Sequence, residues 1–334
     1  MLSKGLFCIS LDFELHWGGV EKRSLPAYNT YFSNTREVIP KILELFTQFN
    51  VHTTWATVGM LFHDSAASLL QNMPKNKPSY SNDSLSTYNY IDNNPLGNSE
   101  LEDPFHFAPS LIQLILSTPN QELASHTFSH YYCNEVGQTA TQFREDLKAA
   151  QQAAQNFGTV LTSLVFPRNQ FREEYLKICF EEGISSVRSN PSDWFWDINN
   201  DSVDTLPKKI YRTADAYIPL SKTCFSLNDL SFKKDFPVSI PASRFLRPYS
   251  SKEYFLHDLK ISRICSEMET AAKENKVYHL WWHPHNFGGN PLKNILGLKK
   301  ILNTYKRLQM DYGMQSANMA EIAAAIKSQN VLNA

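Results

Sequence analysis

Gly5-Leu6-Phe7-Cys8-Ile9-Ser10-Leu11-Asp12-Phe13-Glu14 is an apolar run that ends in two carboxylates. Gly5 to Leu11 has the length and composition of a buried strand. Side chains alternate across a strand, so Asp12 and Glu14, two residues apart, share one face. An ionised carboxylate left unpaired in a core carries a large desolvation cost. The pair therefore belongs at the strand's end, either simply solvated there or held for chemistry.

Outward from this strand the pattern alternates. Asn34-x-x-Glu37 has the form of a capping box, and Val38, Ile39, Ile42, Leu43, Phe46 and Phe49 recur at helical spacing. Pro40 inside that run argues for a later helix start. Val51 to Val58, β-branched and aromatic, predicts a second strand. A helix over 111–116 and a brief strand over 122–124 follow. Thr141 to Phe157 is amphipathic, with Phe143, Leu147, Ala150, Ala154 and Phe157 on one face and Gly158 as C-cap. Then come a strand over 160–166, a helix over 172–182 closed by Gly183, and a helix over 254–275. A strand over 277–283 and a helix over 292–311 complete the series, and Met319, Ile322 and Ile326 mark a last amphipathic turn or two. Strands alternating with helices predict a largely parallel sheet, as a barrel or doubly wound. Residues 72–104, rich in Asn, Ser, Pro and Tyr, read as a surface insertion, and 189–250 as an irregular region. Loops of that length in a compact domain are usually functional or mobile. No repeat or linker divides the chain, so 1–330 is expected to form one domain.

With 42% hydrophobic and 19% charged residues among 334, the composition is that of an ordinary globular protein. A net charge of −1 and a pI near 6.8 leave no electrostatic footprint for nucleic acid or an anionic membrane surface. Cys8, Cys133, Cys179, Cys224 and Cys265 are odd in number and widely spaced. No C-x-x-C occurs, so neither a disulfide framework nor a zinc knuckle is legible, and the pattern suits a reducing compartment. Met1-Leu2-Ser3-Lys4 runs into the first strand without a signal-peptide core, and no stretch approaches the roughly 18 apolar residues of a membrane span. A cytoplasmic protein is expected, its oligomeric state open.

Ser125-His126-Thr127-Phe128-Ser129-His130 sets two histidines four apart. In a helix capped by Ser125 both rings would lie one turn apart on one face, and neutral imidazoles so placed can grip one metal. The spacing alone is weak, because ten histidines in 334 positions give roughly 0.3 such pairs by chance, and His279 with His283 is another. Leu280-Trp281-Trp282-His283-Pro284-His285 ends a strand at its proline and leaves His283 at the carboxyl end, where α/β active sites are built. His279, on the same face, reads as a core histidine with a satisfied hydrogen bond. Phe166-Pro167-Arg168-Asn169-Gln170 also ends a strand, and an arginine there can keep a carboxylate ionised or form an ordinary surface ion pair. Asp193-Trp194-Phe195-Trp196-Asp197 offers rings for a sugar face, or a satellite hydrophobic cluster. Four segments place chemically competent side chains at carboxyl ends of predicted strands, which is the geography of one active site.

On these residues the chain resembles the polysaccharide deacetylase family, the NodB-homology domain of carbohydrate esterase family 4. The similarity runs from about residue 5 to 290, with 72–104 and 189–250 poorly matched. His126-Thr127-Phe128-Ser129-His130 matches the family's His-Ser/Thr-x-x-His motif in full. Ser10-Leu11-Asp12-Phe13-Glu14 stands where the family usually has Thr-Phe-Asp-Asp-Gly, and resembles its Asp-x-Asp or Asp-x-Glu branch. Pro167-Arg168-Asn169-Gln170 echoes Arg-x-Pro-Tyr, a fourth motif would fall near Asp193 and Trp194, and the fifth, Leu-x-His, falls on Trp281-Trp282-His283 with Trp281 in place of Leu.

This resemblance implies an α/β fold, a distorted (β/α)7-type barrel with long loop insertions. It implies a divalent metal held by Glu14, His126 and His130, zinc first, with Co, Ni, Mn or Fe as alternatives. The metal would polarise an amide carbonyl and acidify a water. Asp12, kept ionised by Arg168, would be the general base and His283 the acid. The roles of Asp12 and Glu14 are exchangeable at this stage, and His285 competes with His283. Trp194, Trp281 and His285 would contact substrate. The implied reaction removes an N-acyl group, N-acetyl first, from an amino sugar in a glycan or carrier-linked precursor. A deformylase or cyclic amidase on the same scaffold is the alternative enzyme, and a carbohydrate-binding protein that has lost turnover is the non-enzymatic one.

Overall fold

A computed structural model of the chain describes residues 4–191, 193–196, 205–218, 220–221, 223–230 and 232–332. The apolar run after Gly5 is strand β1 (Leu6–Phe13), buried along its whole length. The other strands are β2 (Thr53–Thr57), β3 (Gln121–Ser125), β4 (Ser163–Leu164), β5 (Ser186–Ser189), β6 (Val238–Pro241), β7 (Arg244–Phe245), β8 (Val277–Trp282) and β9 (Gln315–Ser316). Between and around them run α1 (Leu25–Phe49), α2 (Ala66–Gln71), α3 (Thr87–Asn93), α4 (Pro109–Ser117) and α5 (Ala140–Gln155). The chain continues with α6 (Glu173–Glu181), α7 (Leu206–Ala214), α8 (Tyr254–Lys273), α9 (Pro291–Tyr312) and α10 (Met319–Leu332).

The strand order is β6-β5-β4-β3-β2-β1-β8-β7, with β9 added beside β1, and the ladders are parallel. β6 pairs with β5 and β7 with β8, and only Ala242 and Ser243 separate β6 from β7. Those two residues bridge the gap, because Ala242 N donates to Ser189 O and Ser243 N to His279 O. Taken as one broken strand, β6 and β7 fill the sixth of seven positions in a distorted (β/α) barrel, between β5 and β8.

Alternation along β1 explains where the polar residues fall. Phe7, Ile9, Leu11 and Phe13 pack outward in one cluster with Val38, Ile42 and Phe46 of α1. Leu6 and Cys8 belong to the inner set, with Ala56, Ala124, Val165, Ile240 and Val277, and Met319, Ile322 and Ile326 of α10 pack on it. Ser10 and Asp12 continue that inner register, so the barrel interior turns from apolar to polar towards the carboxyl ends of its strands.

Several sequence expectations need correction. Helix α1 begins at Leu25, well before the cap read at Asn34 and not later as Pro40 suggested, with Pro26 in its first turn and Pro40 inside. Pro40 removes one backbone bond, but the apolar face from Phe32 to Phe49 is buried and holds the helix together. Asn34, read as a cap, donates its amide to Gly288 O instead. The strand over 160–166 shrinks to two residues, and the region 189–250 contains α7, β6 and β7. Within the insertion 72–104, Tyr80 and Tyr88 are buried. All five cysteines are unpaired. Among the described residues no helix is long and apolar enough to cross a membrane.

Candidate active site

Glu14 directly follows β1, and the chain turns sharply after it, with Leu15 at φ 47°. Among the described residues nine non-glycine positions have positive φ, and five of them (Leu15, Thr127, His130, Arg168 and Asn169) lie in the segments marked out by sequence as chemical. The other four are Asn or Asp, which tolerate that region cheaply, whereas Leu, Thr and Arg do not. Backbone strain is thus concentrated where these segments meet. Gly18 folds back over Glu14, and a Cβ there would lie 1.8 Å from Glu14 Oε2 and 2.8 Å from Glu14 Cβ. Gly18→Ala should therefore displace the carboxylate and weaken divalent-metal affinity by roughly 10–100-fold. Titration of apo protein with zinc checks this, and an unchanged affinity would remove Glu14 from the ligand set.

The segment 126–130 is a loop, not the expected helix: Thr127 has φ 63° and His130 φ 56°. It is nevertheless tightly held. Asp146 of α5 accepts from the backbone N–H groups of Phe128 (2.6 Å) and Ser129 (3.1 Å), and from the Ser129 hydroxyl. Burial pushes the Asp146 carboxyl up to about 7 against those bonds. The insertion braces the loop from another side, with Tyr80 Oη accepting from Tyr132 N and Thr87 Oγ1 donating to Ser129 O. The turn after Glu14 is tied to the insertion too, through His16 Nδ1 to His106 Nε2 at 2.8 Å and His106 Nδ1 to Asp103 at 2.8 Å.

Held in this way, His126 and His130 turn their Nε2 atoms to Glu14 Oε1 at 3.0 and 3.2 Å. Glu14, His126 and His130 form a buried set whose candidate ligand atoms all lie within 4.8 Å of one another. His126 Nδ1 faces the Val165 carbonyl at 2.8 Å. A carbonyl only accepts, so Nδ1 carries the proton, and Nε2 of the neutral ring presents a lone pair to the carboxylate. A lone pair against a carboxylate oxygen is repulsive unless a proton or a cation lies between them. The two-nitrogen, one-carboxylate donor set therefore fits a divalent transition metal. Burial pushes the Glu14 carboxyl up, but the charges of His283 and His130 and a hydrogen bond from His130 bring it well below the ordinary range.

Asp12 has a strong partner of its own, although with Glu14 and His283 it forms a second set whose candidate ligand atoms all lie within 4.8 Å of one another. Arg188 of β5 grips it bidentately, Nη1 to Oδ1 at 2.6 Å and Nη2 to Oδ2 at 2.7 Å. Burial raises the Asp12 pKa, and the charges of Arg188 and His283 more than offset this, leaving it below its ordinary value. Behind Arg188 the network continues through Ser10 Oγ (3.1 Å) to His279 Nε2 (2.8 Å), while His279 Nδ1 meets Pro241 O. His279 is thus the satisfied interior histidine read from sequence. The assignment of Arg168 as the partner of Asp12 is corrected. Arg168 Nη2 pairs with Glu21 at 3.0 Å and Nη1 with Glu135 at 3.2 Å, and its guanidinium stacks on Tyr132. Its left-handed backbone, φ 55°, points the side chain across the pocket mouth rather than into the barrel.

His283 follows β8 and brings Nε2 to 3.6 Å from Asp12 Oδ2 and 3.5 Å from Glu14 Oε1. Its side chain is 24% exposed, whereas that of His285 is 3% exposed. His285 Nδ1 lies 3.7 Å from Glu14 Oε2 and has no hydrogen-bond partner among the described residues. Asp12, Glu14, Trp281, His283 and His285 line one pocket of about 350 Å³, and Phe245 forms its wall beside Trp281 at 4.7 Å. Trp194 does not line it. That ring is 54% exposed and packs on Phe195 and Tyr211 as a satellite cluster. Asp193 lies beside it, and Asp197 falls outside the described residues.

No family model matches the sequence, and no curated protein matches it significantly. Solved structures do match the backbone. A protein from Mycobacterium smegmatis, assigned as a polysaccharide deacetylase, shares 14% identity at a TM-score of 0.60, over 98% of this chain and 92% of its own. This is the polysaccharide-deacetylase fold. The same scaffold appears in the PuuE allantoinase, at TM-score 0.53 and 12% identity over 96% of this chain and 88% of its own. It appears again in a 4-alpha-glucanotransferase from Thermococcus litoralis, at TM-score 0.54 and 12% identity, where this chain spans 40% of that protein's length. Three differently named activities thus use one backbone, so the polysaccharide-deacetylase fold by itself leaves the reaction open and the argument for function must come from the site.

Proposed function

We propose that the protein is a metal-dependent amide hydrolase that removes an N-acyl group, N-acetyl first, from an amino sugar. The observation that carries this reading is the division of labour between two adjacent carboxylates. Glu14 faces two imidazole nitrogens, while Asp12 is held and kept ionised by Arg188. Glu14, His126 and His130 would hold the metal, which supplies Lewis acidity towards the carbonyl and its attacking water when bound. Asp12, reaching into the same pocket, takes the water's proton as general base. His283, the more accessible of the two histidines on that rim, donates a proton to the departing nitrogen. Trp281 and Phe245 offer an apolar wall to a sugar face, with Trp281 fixed from behind by Arg188 at 4.2 Å.

Zinc is the first candidate, with Co, Ni, Mn or Fe also compatible with this donor set. Elemental analysis of purified protein should find about one equivalent of a transition metal, and His126→Ala/His130→Ala should hold less than about a tenth of that. Acetate release from N-acetyl sugars should follow the metal and stop with a chelator. Full metal occupancy in the double variant would overturn the ligand assignment. Sugar binding that is indifferent to chelator, without acyl release, would favour a binding protein.

A further inference from the structure

We infer that Arg23 is an anion-recognition residue, so that the substrate carries a carboxylate or phosphate beside its amide-bearing sugar. This deepens the hydrolase reading and rests on it for the word substrate. Arg23 lines both the pocket over Glu14 and an adjoining pocket of about 640 Å³ formed against the first turn of α1 and the end of α3. A ligand whose amide lies at Asp12 and His283 would therefore cross Arg23 as it extends into the second pocket.

Arg23 is half-buried, and among the described residues its guanidinium has no hydrogen-bond acceptor and no carboxylate within 4.0 Å. Every neighbouring cation is matched. Arg188 holds Asp12, Arg168 holds Glu21 and Glu135, and Lys22 lies 3.3 Å from Glu21. The carboxylates of the adjoining pocket are also engaged elsewhere, Asp103 with His106 and Gly97 N, and Glu102 with Asn98 N. Arg23 is nevertheless placed. Its backbone N–H closes a turn on Gly19 O at 2.9 Å, and the guanidinium lies over Gly19, where a Cβ would come within 2.5 Å of Nη1. A guanidinium presents a planar fork of donors suited to a carboxylate or phosphate, and partial burial strips the water that would otherwise satisfy it. A neutral glycan offers that fork only uncharged oxygen acceptors, whereas an oxyanion matches both its charge and its paired donors.

Three probes separate the possibilities: chitotetraose as the neutral amide, a tetrasaccharide of alternating N-acetylglucosamine and glucuronate, and uridine diphosphate N-acetylglucosamine. Steady-state rates and calorimetric binding would be measured on wild type, Arg23→Ala and Arg23→Lys. Wild type should favour one anionic probe over chitotetraose, and which one identifies the anion as carboxylate or phosphate. Arg23→Ala should raise KM or Kd for that probe by roughly 10–100-fold while changing kcat little, and Arg23→Lys should recover part of the loss. Equal preference for the neutral probe, or an equal effect of Arg23→Ala on all three, would overturn the inference. Arg23-dependent binding without hydrolysis of any probe would sink the hydrolase reading and leave the anion site standing. Hydrolysis with no dependence on Arg23 would do the reverse.

Discussion

Asp12→Asn is expected to lower amide hydrolysis by about 10²–10⁴-fold while leaving metal content at the wild-type level. The substitution keeps the shape of the side chain and removes its ability to take a proton. It also leaves the Glu14, His126 and His130 set untouched, because Asp12 directs both oxygens to Arg188. Rates on an N-acetyl sugar and elemental analysis of the same preparations provide the check. Unchanged turnover would remove Asp12 from the proton-transfer role. Loss of metal would mean that Asp12, rather than Glu14, is the ligand, an exchange that the Asp-x-Glu spacing alone permits. The geometry argues against it, since His126 and His130 approach Glu14 Oε1 at 3.0 and 3.2 Å.

Much of this site was legible in the sequence for a simple reason: it hangs on strands. Period-two alternation put Asp12 and Glu14 at the end of β1, and the proline after His283 marked the end of β8. Loops were less readable. The His126 to His130 segment has helical spacing but loop backbone, and what fixes it is Asp146, seventeen to eighteen residues away in sequence. Asp146 had a signal of its own. It sits between Phe143 and Leu147 on the apolar face of α5, where a carboxylate has no place unless it is satisfied from outside the helix. Arg188 left a fainter trace. Ile184 to Ser189 follows the helix stop at Gly183, but the strand is four residues long and opens a region whose prolines suggest irregular chain. Sequence therefore favoured Arg168, which stands at a more obvious strand end. Nothing local distinguishes two arginines twenty residues apart; only the barrel's closure across β5 brings Arg188, and not Arg168, to the inner face shared by Ser10 and Asp12.

That distinction sets the expected result for Arg188→Met. The side chain of Arg188 is 0% exposed and that of Asp12 4%, so removing the guanidinium leaves a buried carboxylate without its counter-charge. Losing one partner of a buried pair typically costs about 3–5 kcal/mol, while replacing both is often close to neutral. Arg188→Met should thus be destabilised by about that amount in urea unfolding, and should lose hydrolysis because Asp12 is neither oriented nor kept ionised. The Asp12→Asn/Arg188→Met double variant should recover much of the stability and none of the activity. Arg168→Ala supplies the contrast, since its pairs with Glu21 and Glu135 lie at the pocket mouth with the arginine 15% exposed, and about 1 kcal/mol or less is expected. If Arg188→Met were as stable as wild type, the ion pair would not be the clamp described here. If the double variant regained turnover, Asp12 would be structural, and the proton would have to leave through His283.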